Sequence, residues 1–383
     1  MKIGTRIRDV VKKLFLRGAI LDWWVRWKSR RLEREIVRRF LQVQKTRSTF
    51  AAAAPQMAPR PAPRGIAFIA DCMWELDNLV PELARIAEVK VLDLRPELRQ
   101  AGAQSTNEVT AQSVDRFLRA TPVEPDVIFF YARPSLLSEG VFDRIRKQWK
   151  APLLGMSLDD KSQFFDYRIF HSGDDNYRYW ARFFDLTLSS SLAATECYRA
   201  LGLPVYYCPA GCRVTTETRK PPGSADFKYQ FSFLGSWKVE RAAIMDRLIE
   251  HGIEIKCFGG GWPQSGWIET PEIMFRQSQL NLGIGFFGPN AVLTNLKARD
   301  FECPGAGACY ITTYNWELPT FYELGREILC YRSVEELIEM HSYYSKRPEL
   351  CLQIAQAAHR RCMSDHTWER RFREVLRSIG FKA

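Results

Sequence analysis

The fold this chain predicts is α/β: two doubly wound domains facing each other across a cleft. Three observations predict it. From residue 65 onward, short continuous apolar runs alternate with helical stretches; a polar, Pro/Gly-containing segment at 213–226 breaks the alternation; and the same alternation resumes beyond it. Continuous rather than alternating apolar strands imply parallel sheets covered on both faces. A length of 383 residues is enough for two such cores. With 46% hydrophobic and 26% charged residues, a disordered, collagen-like or multi-span membrane chain is excluded.

Residues 1–47 stand apart, with 15 Lys/Arg against 4 Asp/Glu; the rest of the chain is formally neutral, so the net charge of +11 resides here. Ile3, Ile7, Val10, Val11 and Leu14 share one side of a predicted helix, with Arg8, Lys12 and Lys13 on the other. Trp23, Trp24 and Trp27 then precede a Lys/Arg-rich stretch. Indoles beside cations suit the headgroup region of an anionic membrane, and the same face suits packing on the body or on a partner helix. Asp22 and the interspersed cations leave no apolar run long enough for an export signal or a spanning helix. A neutral body argues against nucleic acid as a partner. Residues 48–64 form an Ala/Pro linker with no apolar periodicity.

The first domain, 65–212, reads as GIAFIAD, a helix from LDNLVPELARIA, VKVLDL, a helix near 107–119, DVIFFYAR, a helix near 138–149, PLLGMSL, FDLTLSSS, the helix LAATECYRALG and VYYCPAG. After the connection at 213–226, the second domain, 227–360, runs FSFLG, RAAIMDRLIEHG, IEIKCFGGG, MFRQSQL, NLGIGFF, NLKARDFE, ACYITTY and EILCYRS, and helices follow from Val334 to Ile379. No period of 20–50 residues recurs, which argues against a solenoid. Ten cysteines show no C-x-x-C pair and only five histidines accompany them, so no metal site is expected. Most lie in apolar runs as reduced, core-filling thiols, which fits a cytoplasmic protein. Cys208 and Cys212 are read as buried strand-end thiols rather than a disulfide.

Ligands of parallel α/β sheets bind at the carboxyl ends of strands. In FSFLGSWKVERA, Gly235, Ser236, Lys238 and Arg241 fall at such a turn, where glycine admits a close ligand and the cations can neutralise a diphosphate. A glycine turn with solvated cations fits that spacing equally well. FGGGW lacks the spacing of a dinucleotide fingerprint and reads as a tight strand exit. The sharper constellation is GPNAVLTNLKARDFECPGAGACYIT, in which a turn at Gly288-Pro289-Asn290 leads into a predicted helix carrying Asn295, Lys297, Arg299 and Glu302. A carboxylate there can accept both hydroxyls of a ribose while cations a turn earlier hold phosphate oxygens. The alternative is an i,i+3 surface ion pair between Arg299 and Glu302.

The stretch LKARDFECPGAGACYITTYNWELPTFYELGREILCYRSVEELIEMHSYYSKRPE, with the later DHTWERR, resembles the carboxyl-terminal domain of CgeB-like and related group 1 glycosyltransferases, whose pattern runs R-x-F-E, a small-residue segment, strands, and a helix pair ending near H-T-x-x-x-R. FDLTLSSSLAATECYRALGLPVYYCPAG is similar to the end of their amino-terminal domain. The resemblance implies a GT-B fold: a nucleotide-sugar donor in the second domain, an acceptor mostly in the first, and a final helix at 361–383 crossing back. It implies that Glu302 holds the ribose hydroxyls and that Arg299 and Lys297 face the diphosphate. Thr294 stands where retaining members often carry the first acid of E-x7-E, so retention does not follow. No D-x-D occurs, in agreement with a metal-independent GT-B enzyme that needs no cofactor.

Sugar transfer places negative charge on the departing diphosphate and oxocarbenium character on the sugar, so fixed cations and helix N-termini stabilise the transition state. An inverting enzyme also needs a group to take the acceptor's proton. Asp71 ends the first strand and Asp159-Asp160 ends PLLGMSL, the latter matching an acidic pair of CgeB-like proteins; each also suits a cap or turn. His171 is read as a core or surface residue. The leading expectation is a cytoplasmic hexosyltransferase held at a membrane surface by residues 1–47 and acting on a membrane-associated glycan precursor. The alternatives are a GT-B sugar-nucleotide epimerase or hydrolase, and a non-catalytic GT-B scaffold binding partners through the basic arm.

Overall fold

A computed structural model describes residues 58–100, 106–131, 133–158, 177–220, 227–263, 268–287 and 293–383. The basic stretch 1–47, most of the Ala/Pro linker, Asp159, Asp160, His171 and the Gly288-Pro289-Asn290 turn lie outside them. The first lobe comprises β1 (Gly65–Ala70), α1 (Met73–Leu83), β2 (Glu88–Asp93), α2 (Arg95–Gln100), α3 (Thr106–Ala120), β3 (Val127–Tyr131), α4 (Glu139–Gln148), β4 (Leu153–Ser157), α5 (Tyr177–Trp180), β5 (Leu186–Ser189), α6 (Leu192–Ala200) and β6 (Val205–Tyr207). Its strands are all parallel, in the order β2-β1-β3-β4-β5-β6. β1, β3 and β4 bury nearly every residue, which is why their sequences are continuously apolar. Along β1 the pleat sends Ile66, Phe68 and Ala70 into the core between the lobes and Ala67 and Ile69 into the core on the other face.

α7 (Thr216–Arg219) lies in the connection. The second lobe follows with β7 (Tyr229–Leu234), α8 (Val239–Glu250), β8 (Lys256–Phe258), α9 (Pro271–Arg276), β9 (Ser278–Leu282), β10 (Phe286–Phe287), β11 (Leu293–Thr294), α10 (Arg299–Gly305), β12 (Tyr310–Thr313), β13 (Leu329–Tyr331), α11 (Val334–Tyr344), α12 (Pro348–Asp365) and α13 (Trp368–Ser378). Its five-stranded sheet is parallel in the order β13-β12-β9-β7-β8. In each lobe the first strand has its successors on opposite sides, β2 and β3 flanking β1, β8 and β9 flanking β7. Crossovers leaving in opposite directions open a crevice at the carboxyl ends of those strands. Asp71 and Gly235 follow the two switch strands directly.

α13 joins the lobes. Thr367 caps its N-terminus by accepting from the Arg370 N–H, and Trp368, Phe372, Val375 and Leu376 form a fully buried stripe against α1 and the first sheet. Backbone bonds fasten its start to the end of the first lobe: Cys212 N–H donates to His366 at 2.8 Å and Trp368 N–H to Cys212 at 2.9 Å. The core of the first lobe therefore continues through α13 into Phe301 and Tyr310 of the second.

The expected helix carrying Asn295 through Glu302 is shorter than its sequence suggests. Leu293–Thr294 pairs antiparallel with Phe286–Phe287, Asn295 N–H donates to Gly285, and helix begins only at Arg299, so Asn295 and Lys297 lie on the approach to it. Asp300 causes the late start by accepting from the Lys297 N–H at 2.7 Å. The strand read as NLGIGFF likewise begins three residues earlier, at Ser278, and ends at Leu282; a Cβ at Gly283 would lie 2.2 Å from the Tyr310 hydroxyl.

Gly305 ends α10 against the hinge, where a Cβ would sit 2.6 Å from Cys212 Cβ. Gly305→Ala should therefore lower stability by about 1–3 kcal/mol through overpacking, read as a drop in thermal midpoint. An unchanged midpoint would show that the two segments separate freely.

Candidate functional site

The first turn of α10 is built from both sides of its helix. Asp300, Phe301 and Cys303 point inward. Asp300 accepts from Lys297 N–H and from the Thr312 hydroxyl at 3.1 Å; burial raises its carboxyl above the ordinary range and those donors pull it back. Phe301 is boxed edge-on by Phe321 and His366 and held from below by Tyr322, whose hydroxyl donates to the Asp300 carbonyl at 2.8 Å. His366 in turn bonds Phe321 through Nε2 at 3.0 Å and meets Arg371 through Nδ1 at 3.1 Å; burial, and then the Arg371 charge, lower its pKa against the pull of the Phe321 carbonyl. The H-T-x-x-x-R pattern at His366, Thr367 and Arg371 is thus the support under this turn.

With those residues inward, Arg299 and Glu302 face the seam between the lobes. Glu302 Oε1 accepts from the Trp74 indole N–H of the first lobe at 3.0 Å. Glu302 also borders a small crevice with Asn78, Arg213 and Glu272. Its carboxyl is pushed up to about 7 by burial, against the opposing pull of Arg299 and the Trp74 hydrogen bond. Arg299 Nε is buried without a hydrogen-bond partner, and its guanidinium carbon lies 5.7 Å from the Phe233 ring centre. Asn295 is buried, its side-chain oxygen also unpartnered.

Phe233 connects this turn to the other candidate motif, because the Arg241 guanidinium carbon lies 5.6 Å from the same ring. Arg241 is buried and donates to the Ser236 carbonyl at 2.7 Å, pinning the turn after β7. Lys238 is exposed at the N-cap of α8. Gly235 leaves room there for both side chains: a Cβ would lie 2.9 Å from the Phe233 ring and 3.1 Å from the Arg241 guanidinium, so either side chain would have to shift. The glycine run after β8 laces to this turn, with Gly235 N–H donating to Phe258 at 2.9 Å, Trp237 N–H to Gly260 at 2.8 Å and the Trp262 indole to Gly235 at 2.7 Å. Gly259 has φ of 109°, and a Cβ would meet the Gly235 carbonyl at 2.7 Å.

Across the seam, Asp71 is committed to an ion pair, its covered carboxylate accepting from Arg133 Nε at 2.6 Å. Glu75, one turn on, is buried; it accepts from the Tyr131 hydroxyl while its Oε2 has no hydrogen-bond partner, and burial raises its pKa. The structure thus brings Arg299 together with Gly235 and Arg241 around Phe233, and Glu302 beside Arg299. Trp74, Phe233, Asp300 and Arg133 escaped sequence reasoning. Only Asp300 carried a signal, as the residue between the arginine and phenylalanine of R-x-F-E. The arrangement offers one carboxylate for a diol and cations beside a glycine-cleared loop, the chemistry that suits a nucleoside diphosphate.

Residues 240–377 match the glycosyl transferase-like family. No curated protein matches the chain. Among solved structures, the chain is similar to sucrose-phosphate synthase of Thermosynechococcus elongatus, with TM-score 0.58 and 12% identity over 82% of this chain and 98% of that one. An alpha-glucosyltransferase in complex with UDP and mismatched DNA gives 0.57 and 11%, over 84% and 100%. HepE of Anabaena in complex with UDP and glucose gives 0.53 and 13%, over 82% and 99%. The two-lobe fold is that of GT-B glycosyltransferases.

An acid titrating higher in the folded than in the unfolded chain contributes stability that is lost as pH rises toward the folded value. Glu302 titrates near 7 when folded. Glu302→Gln keeps an acceptor for Trp74 and removes the charge, so it should melt like the parent near about pH 4 and higher than the parent at about pH 8. A variant melting at or below the parent at the higher pH would reverse the assignment of a destabilising buried charge.

Proposed function

We propose that this chain is a glycosyltransferase that moves a sugar from a nucleotide-sugar donor in the second lobe to a hydroxyl presented by the first. The observation that carries the reading is Glu302 and Arg299, one turn apart on α10, at the seam beside the glycine-cleared end of β7. Neighbouring structures that hold UDP support a uridine diphosphate donor. Glu302 accepts the ribose hydroxyls. Arg299, whose Nε is unpartnered, meets the diphosphate with Lys297, and the turn at Gly235 to Lys238, held by Arg241, closes the other side.

In the reaction the acceptor oxygen bonds to the anomeric carbon while the bond from that carbon to the diphosphate breaks. Fixed cations stabilise the charge that gathers on the leaving group without needing to reorganise. The acceptor's proton passes to a first-lobe carboxylate. Asp71 is engaged by Arg133, so this reading assigns the proton to Asp159 or Asp160, the acidic pair that follows β4 in sequence. Chelators should leave the rate unchanged if the reaction is metal-independent. Residues 1–47 hold the enzyme at the cytoplasmic membrane face, near a lipid-linked glycan acceptor; among the described residues, no helix is long and apolar enough to cross a membrane.

Glu302→Ala and Arg299→Ala should each weaken UDP-sugar binding by about 1–3 kcal/mol, the loss of a charge-assisted hydrogen bond, measured by calorimetry on folded protein. Unchanged affinity in both would remove the donor-site assignment. Deleting residues 1–47 should abolish salt-sensitive binding to anionic liposomes; a full-length chain that does not bind them ends the membrane proposal.

A further inference from the structure

Trp74 lies at the seam where the donor reading places the ribose, and its position constrains how a nucleotide can enter. It comes from the first turn of α1, while Glu302 comes from α10, 228 residues away and in the other lobe. The indole N–H to Glu302 Oε1 bond is 3.0 Å, an ordinary N–H···O length. The ring is steadied by an edge-on contact with Trp368 of α13, centroids 6.3 Å apart, and its backbone carbonyl accepts from Asn78 at 2.7 Å. An indole whose N–H reaches an oxygen fills the space in front of it. A carboxylate oxygen can accept more than one donor, but a ribose hydroxyl approaching Oε1 from the side the indole fills must displace the ring.

We propose that Trp74 and the nucleotide's ribose compete for Glu302, so that binding a nucleoside diphosphate breaks the indole bond and loosens the first lobe at α1. This inference rests on the donor-site reading above. Its consequence is a reciprocal coupling: whatever strengthens the tie between Trp74 and Glu302 weakens nucleotide binding by the same factor. The exchange costs little net energy because one hydrogen bond to Glu302 replaces another, while the apolar packing of α13 on α1 stays in place. Glu302 remains flanked by Arg299, Arg213 and Glu272 in either state. One of the polar ties between the lobes therefore follows occupancy of a single oxygen.

Trp74→Phe keeps the ring and removes the donor. Calorimetry on the full chain, using UDP, ADP, GDP and dTDP as probes, identifies the nucleotide that binds. Trp74→Phe should bind that nucleoside diphosphate about three- to tenfold tighter, and the gain should vanish with its 2′,3′-dideoxy analogue, which has no hydroxyl to compete. Equal or weaker binding of the hydroxylated nucleotide by the variant overturns the competition. A second measurement does not depend on affinity: in 5-fluorotryptophan-labelled wild-type chain, the fluorine resonance missing from Trp74→Phe should shift on saturation with the nucleotide, and a stationary resonance also overturns it. If the wild-type chain binds none of the four probes, the donor-site reading itself falls and the competition falls with it.

Discussion

The buried carboxylate of Asp300 is the contact on which the candidate site depends. It fixes the approach to α10 through the Lys297 N–H and ties that approach to β12 through Thr312. Burying an acid is costly unless donors meet it, and these two set where the helix begins. With Asp300 and Phe301 committed inward, helical geometry leaves Arg299 and Glu302 on the opposite side, toward the first lobe. The aromatic box of Phe321, Tyr322 and His366 around Phe301 keeps that turn from rolling.

The seam combines two kinds of contact. On one side, α13 seals the lobes with apolar side chains, and displacing them would expose a shared core. On the other, the ties are polar. Glu317 accepts from the Leu192 N–H at the start of α6 and from the Tyr207 hydroxyl, a carboxylate at a helix N-terminus. Arg213 bonds Glu272 and the Asp77 carbonyl, and Trp74 bonds Glu302. Polar ties exchange for ligand or water contacts at small net cost, whereas apolar burial has no such substitute. Motion between the lobes is therefore expected to pivot about α13 and to open where the donor enters.

Legibility followed the range of the forces involved. Strands buried on both faces announce themselves as apolar runs, so both sheets and the break between them could be read from β1, β3, β4 and β7. Asn295 and Lys297 were misplaced onto a helix because the periodicity of NLKARDFE is helical, and the bond from Lys297 N–H to Asp300 that delays the helix has no periodic signature. Arg241 read as a free cation and proved to be the pin for Ser236, a role that only its burial reveals. Asp71 read as an available base; its ion pair comes from Arg133, 62 residues on, beyond any local pattern.

The sequence alone was sufficient for two doubly wound halves, a charged leading stretch and an acid-cation pair on a short helix, because each is written in neighbouring residues whose spacing repeats or clusters. Only the tertiary structure could decide that Phe233 gathers Arg241 and Arg299 around one ring, and that Trp74 reaches Glu302 from the other lobe. Those contacts depend on how two sheets and a returning helix pack, which distributes over many buried side chains and leaves no mark at any single position.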